Sequence, residues 1–271
     1  MNLDIAYANA DFIPNGLDFP AKWQKMAGDF RSSHKNLRLD LPYGEDASNA
    51  FDLVLPDGMA KGLVVFVHGG YWMAFGRRDW THLAAGAVGQ GYAVALPSYP
   101  LAPDARIAKI TKAVAAAIDA AADQVAGPIH LAGHSAGGHL VARMNCIDVP
   151  LSCRDRIARI MPISPLSDLR PLMRTKMNNT LHLDEAEAQA ESPALNNHRV
   201  GIPTTVWVGA DERSAFLDQA RDLTLVWPEA ELTIAPNRHH FDVIAPLADP
   251  DSDMVAILLG RDQRPKSSSA R

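Results

Sequence analysis

The stretch Gly133-His134-Ser135-Ala136-Gly137 sets a serine between two glycines, after an apolar run and ahead of a helix-forming one. In a strand–turn–helix setting this G-x-S-x-G pattern lifts the hydroxyl out of a sharp turn, where it can attack a carbonyl carbon. A carbonyl under attack becomes an oxyanion, which needs N–H donors fixed in advance. His68-Gly69-Gly70-Tyr71-Trp72 supplies them after another apolar run, because glycine lets backbone amides approach a ligand closely. The predicted donors are the amides of Gly69, Gly70 and Ala136, with Tyr71 as a further candidate. The serine proton needs a base. His240, in His239-His240-Phe241-Asp242, is chosen because it directly precedes Phe241 and a helix-like run, while His239 reads as structural. An unperturbed imidazole titrates near 6.5, so it can accept and return a proton close to neutrality. A carboxylate must orient that imidazole, and Val208-Gly209-Ala210-Asp211-Glu212 offers two. Asp211 is the expected acid and Glu212 the fallback; Asp211 could instead, or also, cap the following helix.

Further residues fall around these. His68 is expected to support the oxyanion loop and His134 to line the pocket. His130, His134 and His139 straddle a strand, a turn and a helix, so they do not share the helical face an i, i+4 metal pair requires, and no metal is expected. Tyr71, Trp72, Phe75 and Tyr99 would wall the mouth with aromatic rings, and Tyr71, Trp72, His134 and Tyr99 are the expected substrate contacts. Arg77 and Arg78 read either as a clamp for a substrate carboxylate or, preferably, as a solvated pair at a helix start.

These groups must be brought together by strands that alternate with helices. Strands are predicted at 51–55, 63–67, 92–96, 129–132, 159–163, 204–208 and 231–235, the first alternating as an exposed strand would. Leu63–Val67 is continuously apolar, as a parallel strand covered on both faces should be. Helices are predicted at 104–125, 138–147, 214–226 and 251–259. The alternation argues an α/β class fold, a mostly parallel sheet wrapped on both faces. Ligands of such sheets bind beyond the carboxyl ends of the strands, where all four motifs fall. Residues 1–35 carry Tyr7, Phe12, Phe19, Trp23 and Phe30 with little strand pattern, and are expected to wrap the sheet edge or partly cover the site. Residues 165–200 read as a polar, helix-leaning cap-like insertion within a domain spanning 36–260, and 261–271 as a disordered tail.

Composition narrows the alternatives. With 47% hydrophobic residues in 271, the chain can bury a core without staples. A net charge of −5 without long runs of either sign gives no nucleic-acid footprint and no polybasic membrane patch. Two cysteines, Cys146 and Cys153, are too few for a disulfide framework. The first residues lack a basic and an apolar region of the secretory kind, and no run of membrane-spanning length occurs, so a cytoplasmic setting is expected. The expected partner is a small-molecule substrate, neither nucleic acid nor membrane, with a homodimer left open.

The order Ser135, Asp211, His240 matches the nucleophile–acid–base order of the α/β-hydrolase superfamily, which the chain resembles from about residue 50 to 260. Gly133–Gly137 and Tyr99-Pro100-Leu101-Ala102-Pro103 resemble the hormone-sensitive-lipase-like esterases, although those usually carry a third glycine where Tyr71 stands here. His-Gly-Gly-Tyr-Trp at 68–72 and Phe241-Asp242-Val243-Ile244 are similar to the kynurenine formamidase (arylformamidase) family. That resemblance implies an α/β-hydrolase fold of about eight strands and hydrolysis of N-formyl-L-kynurenine to kynurenine and formate. It also implies Ser135, Asp211 and His240 as the triad, with no cofactor. Related esterases and thioesterase-like hydrolases carry the same loop, so a short-chain ester hydrolase is the alternative. A non-catalytic receptor on the same scaffold is the alternative of another class.

Overall fold

The computed structural model describes residues 2–261. The expected disordered tail therefore lies outside the described residues except for its first member. Eight strands form one sheet: β1 (Leu37–Pro42), β2 (Ala50–Val54), β3 (Leu63–Val67), β4 (Ala93–Pro97), β5 (Ile129–His134), β6 (Ile157–Ile163), β7 (Thr204–Gly209) and β8 (Ala230–Ala235). Their order is β1-β2-β4-β3-β5-β6-β7-β8. The β1–β2 and β2–β4 pairs are antiparallel and all later pairs are parallel. Nine α-helices accompany them among the described residues: α1 (Leu3–Ala6), α2 (Phe19–Ser33), α3 (Ala85–Gly89), α4 (Ile107–Ala122), α5 (Ala136–Arg143), α6 (Asn178–Leu181), α7 (Glu185–Ala190), α8 (Ser214–Val226) and α9 (Asp253–Leu258).

The sheet is a divider between two cores. On β3, Leu63, Val65 and Val67 face a cluster with α4 and α5, while Val64 and Phe66 face a second cluster with Trp80, Val94 and α9. That alternation is the period-two rule for side chains, with both faces apolar because both are covered. The seven predicted strands are present, their ends shifted by no more than two residues.

Three local readings needed correction. β2 was expected to alternate as an exposed strand, yet every residue of it is buried. Its polar Asp52 gave the alternation, and that carboxylate is buried because Arg77 Nε reaches it at 3.1 Å. β1 was not foreseen; it is an edge strand, largely exposed, whose pairing is interrupted between Arg38 and Leu41. α2 was also not foreseen. Its buried stripe is only Trp23 and Ala27, four residues apart, too narrow a pattern to identify from periodicity. It packs through Trp23 on Trp80, with ring centroids 4.6 Å apart.

The insertion at 165–200 contains α6 and α7 and is tied beside α4. Arg106 Nε donates to Glu187 at 2.7 Å, and Arg106 Nη2 to Asp184 at 2.9 Å.

Candidate active site

Ser135 stands between the end of β5 and the start of α5 with φ 56° and ψ −116°. This is a strained conformation for a non-glycine residue and persists only where the surroundings over-determine it. The glycines around it show what does so. A Cβ on Gly133 would lie 2.2 Å from the Gly137 carbonyl oxygen, and one on Gly137 would lie 2.0 Å from that of Val67. Both contacts are impossible, so the turn needs glycine at these positions. The Ser135 amide donates to the Ile163 carbonyl at 2.8 Å, which pins the turn to β6.

The loop after β3 lies against this turn. A Cβ on Gly69 would sit 3.1 Å from that of Ser135. Gly70, Tyr71 and Trp72 all have positive φ, at 105°, 51° and 57°. Within the described residues the amides of Gly69, Gly70, Tyr71 and Ala136 donate to no protein acceptor. An amide without a protein acceptor can donate to a ligand oxygen. His68 holds the loop from behind: its ring stacks on Tyr99 at 4.3 Å, and its Nδ1 lies 2.8 Å from the Gly69 carbonyl. Burial pushes the His68 imidazole down to about 4, so it stays neutral in this role.

His240 is buried and lines the same cavity as Ser135. Its Nδ1 lies 2.6 Å from an oxygen of Glu212, not of Asp211. The expected acid is thus corrected by one residue. Asp211 is exposed and carries no side-chain hydrogen bond among the described residues, whereas Glu212 is buried. The cause is the turn after β7. A Cβ on Gly209 would meet the Arg238 carbonyl at 2.1 Å, and the Asp211 amide donates to that same carbonyl at 2.9 Å. This fixes residue 211 outward and residue 212 inward. The other Glu212 oxygen accepts from the Ser164 hydroxyl at 2.5 Å and from the Gly209 amide at 2.8 Å. A buried carboxylate with three hydrogen bonds is held in one orientation. The His240 ring is further fixed by Phe216, whose centroid is 4.2 Å away, and by His134, whose Nε2 lies 2.9 Å from the His240 carbonyl.

The cavity above Ser135 measures about 540 Å³. Its wall is mostly apolar, with Trp23, Phe75, Trp80 and Phe241 among its rings. Tyr71 and His134 line it as expected. Trp72 and Tyr99 do not. Trp72 is 0% exposed, turned into the core by its positive φ and packed on His139 at 5.1 Å between ring centroids. Tyr99 is buried behind the loop, its hydroxyl donating to the His68 carbonyl at 2.8 Å. Arg77 is spent on Asp52 and Asp40, and Arg78 on Asp40, so neither reaches the cavity. The N-terminal segment, by contrast, supplies a whole side of the wall, including Tyr7, Asn9, Leu17 and Trp23, while the 165–200 insertion supplies Met177 alone. Ser164 and Phe216 were missed by sequence reasoning. Ser164 stands directly after β6, and its polar type at a strand end was the one available signal.

His130, His134 and His139 occupy separate environments. His130 packs on Tyr92, and the His139 Nε2 lies 2.7 Å from the Glu191 carbonyl. Among the described residues no group of three His, Cys, Asp or Glu side chains is arranged to hold a metal. No helix among them is long and apolar enough to cross a membrane.

A family profile described as alpha/beta hydrolase fold matches residues 64–224. The kynurenine formamidase of Salmo salar is 28% identical over 238 residues, covering 82% of this chain and 80% of that protein. A crystal structure from Silicibacter, given a provisional thioesterase description, is 53% identical with a TM-score of 0.93, covering 96% of this chain and 99% of that one. An esterase of Pyrobaculum calidifontis, 18% identical with a TM-score of 0.69 over 94% of this chain and 93% of that one, shares the fold.

Proposed function

The chain belongs to the α/β-hydrolase fold family, and within it we propose a serine hydrolase that removes a small acyl group, formyl above all, from an aromatic amine. N-formyl-L-kynurenine is the substrate suggested by the Salmo salar relative. The observation that carries the reading is His240, held by the buried Glu212 and lining one cavity with a serine on a strained, glycine-packed turn.

The steps follow from the groups present. Ser135 Oγ attacks the formyl carbon while His240 Nε2 takes its proton. Glu212 keeps the other ring nitrogen protonated and stabilises the imidazolium. Negative charge on the former carbonyl oxygen meets the loop amides at Gly69 and Gly70 and the Ala136 amide; losing one such donor typically costs about 10²–10³ in turnover. His240 then gives its proton to the departing amine, which leaves a formyl-serine. Water, deprotonated by the same imidazole, releases formate and restores the serine. The ring-lined cavity suits an aromatic leaving group.

A short-acyl ester or thioester hydrolase is the second reading, favoured by the Silicibacter relative. A serine-directed phosphonate should label Ser135 in the parent protein and fail to label a His240→Ala variant. Turnover of formyl, acetyl and butyryl arylamides beside the matching aryl esters then separates the two readings. Activity confined to formyl amides supports the formamidase, and a preference for esters by orders of magnitude supports the alternative. An unlabelled, inert parent supports a receptor instead.

A further inference from the structure

Two consecutive residues at the end of β6 reach two different members of the site. The Ile163 carbonyl accepts the Ser135 amide at 2.8 Å, and the Ser164 hydroxyl donates to Glu212 Oε1 at 2.5 Å. Between them they tie the turn of the nucleophile to the turn of the acid. Ser164 is itself fixed from two sides. Its amide donates to the Trp207 carbonyl on β7 at 2.6 Å, and a Cβ on Gly138 of α5 would lie 3.1 Å from the Cα of Pro165, the next residue.

The length of the Glu212 side chain gives that hydroxyl a task. A glutamate carries one more rotatable bond than an aspartate, so more conformational freedom must be removed to hold its carboxylate against an imidazole. Oε2 lies 2.6 Å from His240 Nδ1, while Oε1 receives the Gly209 amide at 2.8 Å and the Ser164 hydroxyl. The Gly209 bond closes within the turn that carries Glu212, three residues away, whereas the Ser164 bond comes from a neighbouring strand. Of the two, the second anchors the carboxylate to something other than its own turn. Ser164 is 0% exposed and is not among the residues that line the cavity, so it acts on the acid and not on the substrate. Its φ is 48°, a conformation that residues with a side chain adopt rarely.

We propose that Ser164 is a positioning residue: its hydroxyl holds the Glu212 carboxylate in the orientation from which it fixes the His240 imidazole. This rests on the serine-hydrolase reading of Ser135, Glu212 and His240.

The test compares Ser164→Ala and Ser164→Gly, alone and combined with Glu212→Gln, on the formyl arylamide or aryl ester that the parent turns over fastest. Removing a partner that orients a metal ligand costs about 10–100-fold, and a loss of that size is expected here in kcat, with KM within about twofold of the parent. Glycine takes a positive φ without strain, so Ser164→Gly should fold even where Ser164→Ala does not, and a role confined to backbone conformation would leave its kcat intact. In the Glu212→Gln background the same substitutions should cost less than about twofold, because their effect passes through the carboxylate. A Ser164→Gly protein with parental kcat, or a loss as large in the Glu212→Gln background as in the parent, overturns the role of Ser164 and leaves the hydrolase standing. A Glu212→Gln protein with parental kcat overturns the acid and Ser164 with it. A parent that neither turns over nor labels with the phosphonate overturns the hydrolase reading as well.

Discussion

At the carboxyl ends of β3, β5 and β7 the backbone is packed so tightly that a single added carbon at Gly137 or Gly209 would collide with a carbonyl oxygen. The N-terminal segment closes the same cavity on very different terms. Its first residues, 2–12, are tied down by four hydrogen bonds: Tyr71 hydroxyl to the Tyr7 carbonyl (2.5 Å), Gln219 Nε2 to the Tyr7 hydroxyl (2.9 Å), Arg213 to the Ile5 carbonyl (3.2 Å), and Lys176 N to Asp4 (2.7 Å). Arg213 also lies over the Phe12 ring at 3.7 Å. Ser135, His240 and Glu212, the groups proposed to move protons, sit on turns that the packing at the strand ends fixes, as preorganised catalysis requires. The N-terminal wall of the cavity stands instead on turns and helices outside the sheet.

The largest effect should come from the proton-handling side. Glu212→Gln leaves the shape intact but offers His240 the wrong hydrogen-bonding partner, and kcat should fall by about 10³–10⁴. Asp211→Asn, one residue away and exposed, should stay within about twofold. Steady-state kinetics on both variants checks the assignment, and the reverse result would return the role to Asp211.

Acid should weaken the fold through its buried histidines. Burial holds His68, His82 and His130 down at about 4 and His139 at about 3. Unfolded imidazole titrates near 6.5, so in this window the unfolded chain binds more protons and stability rises with pH. The stabilisation is whole above pH 6.5 and is lost as pH falls through 6.5 toward 4, at roughly 1.4 kcal/mol per pH unit for each histidine. Thermal melts from pH 7.5 to 4.5 should therefore show a steep decline below 6.5, and a flat profile would contradict it.

Gly137→Ala tests the packing directly. Its Cβ has no space beside Val67, so melting should show a loss of about 1–3 kcal/mol or more, with phosphonate labelling of Ser135 reduced. A smaller change belongs to the segment. Tyr7→Phe removes the hydroxyl that accepts from Gln219 Nε2, which keeps its bond to the Asp168 carbonyl, and KM should rise by about three- to tenfold while kcat holds. A loss in kcat of the size expected for Glu212→Gln would erase the distinction between the two regions.

Much of the scaffold was legible because its signals are local. The run Leu63–Val67 has one stable fate, a strand covered on both faces. β1 and α2 were not legible, because an interrupted edge strand and a helix with a two-residue buried stripe carry little pattern of their own. Their structure comes from what they pack on, β2 for the strand and Trp80 for the helix, and not from their own residues alone.

The sequence by itself singled out Ser135, His240 and the loop at 68–72. Each follows a strand and is marked by glycines or an imidazole whose chemistry has few other uses. Only the tertiary structure decided between Asp211 and Glu212. Two adjacent carboxylates are equivalent in composition, and their directions differ because the Arg238 carbonyl, on the segment after β8, captures one amide of the turn. The same holds for Trp72 and Tyr99, aromatic residues whose type suits a pocket wall but whose rings are consumed behind it. Residue type states what a group can do; which way it points is fixed by hydrogen bonds and packing with segments that the local sequence does not contain.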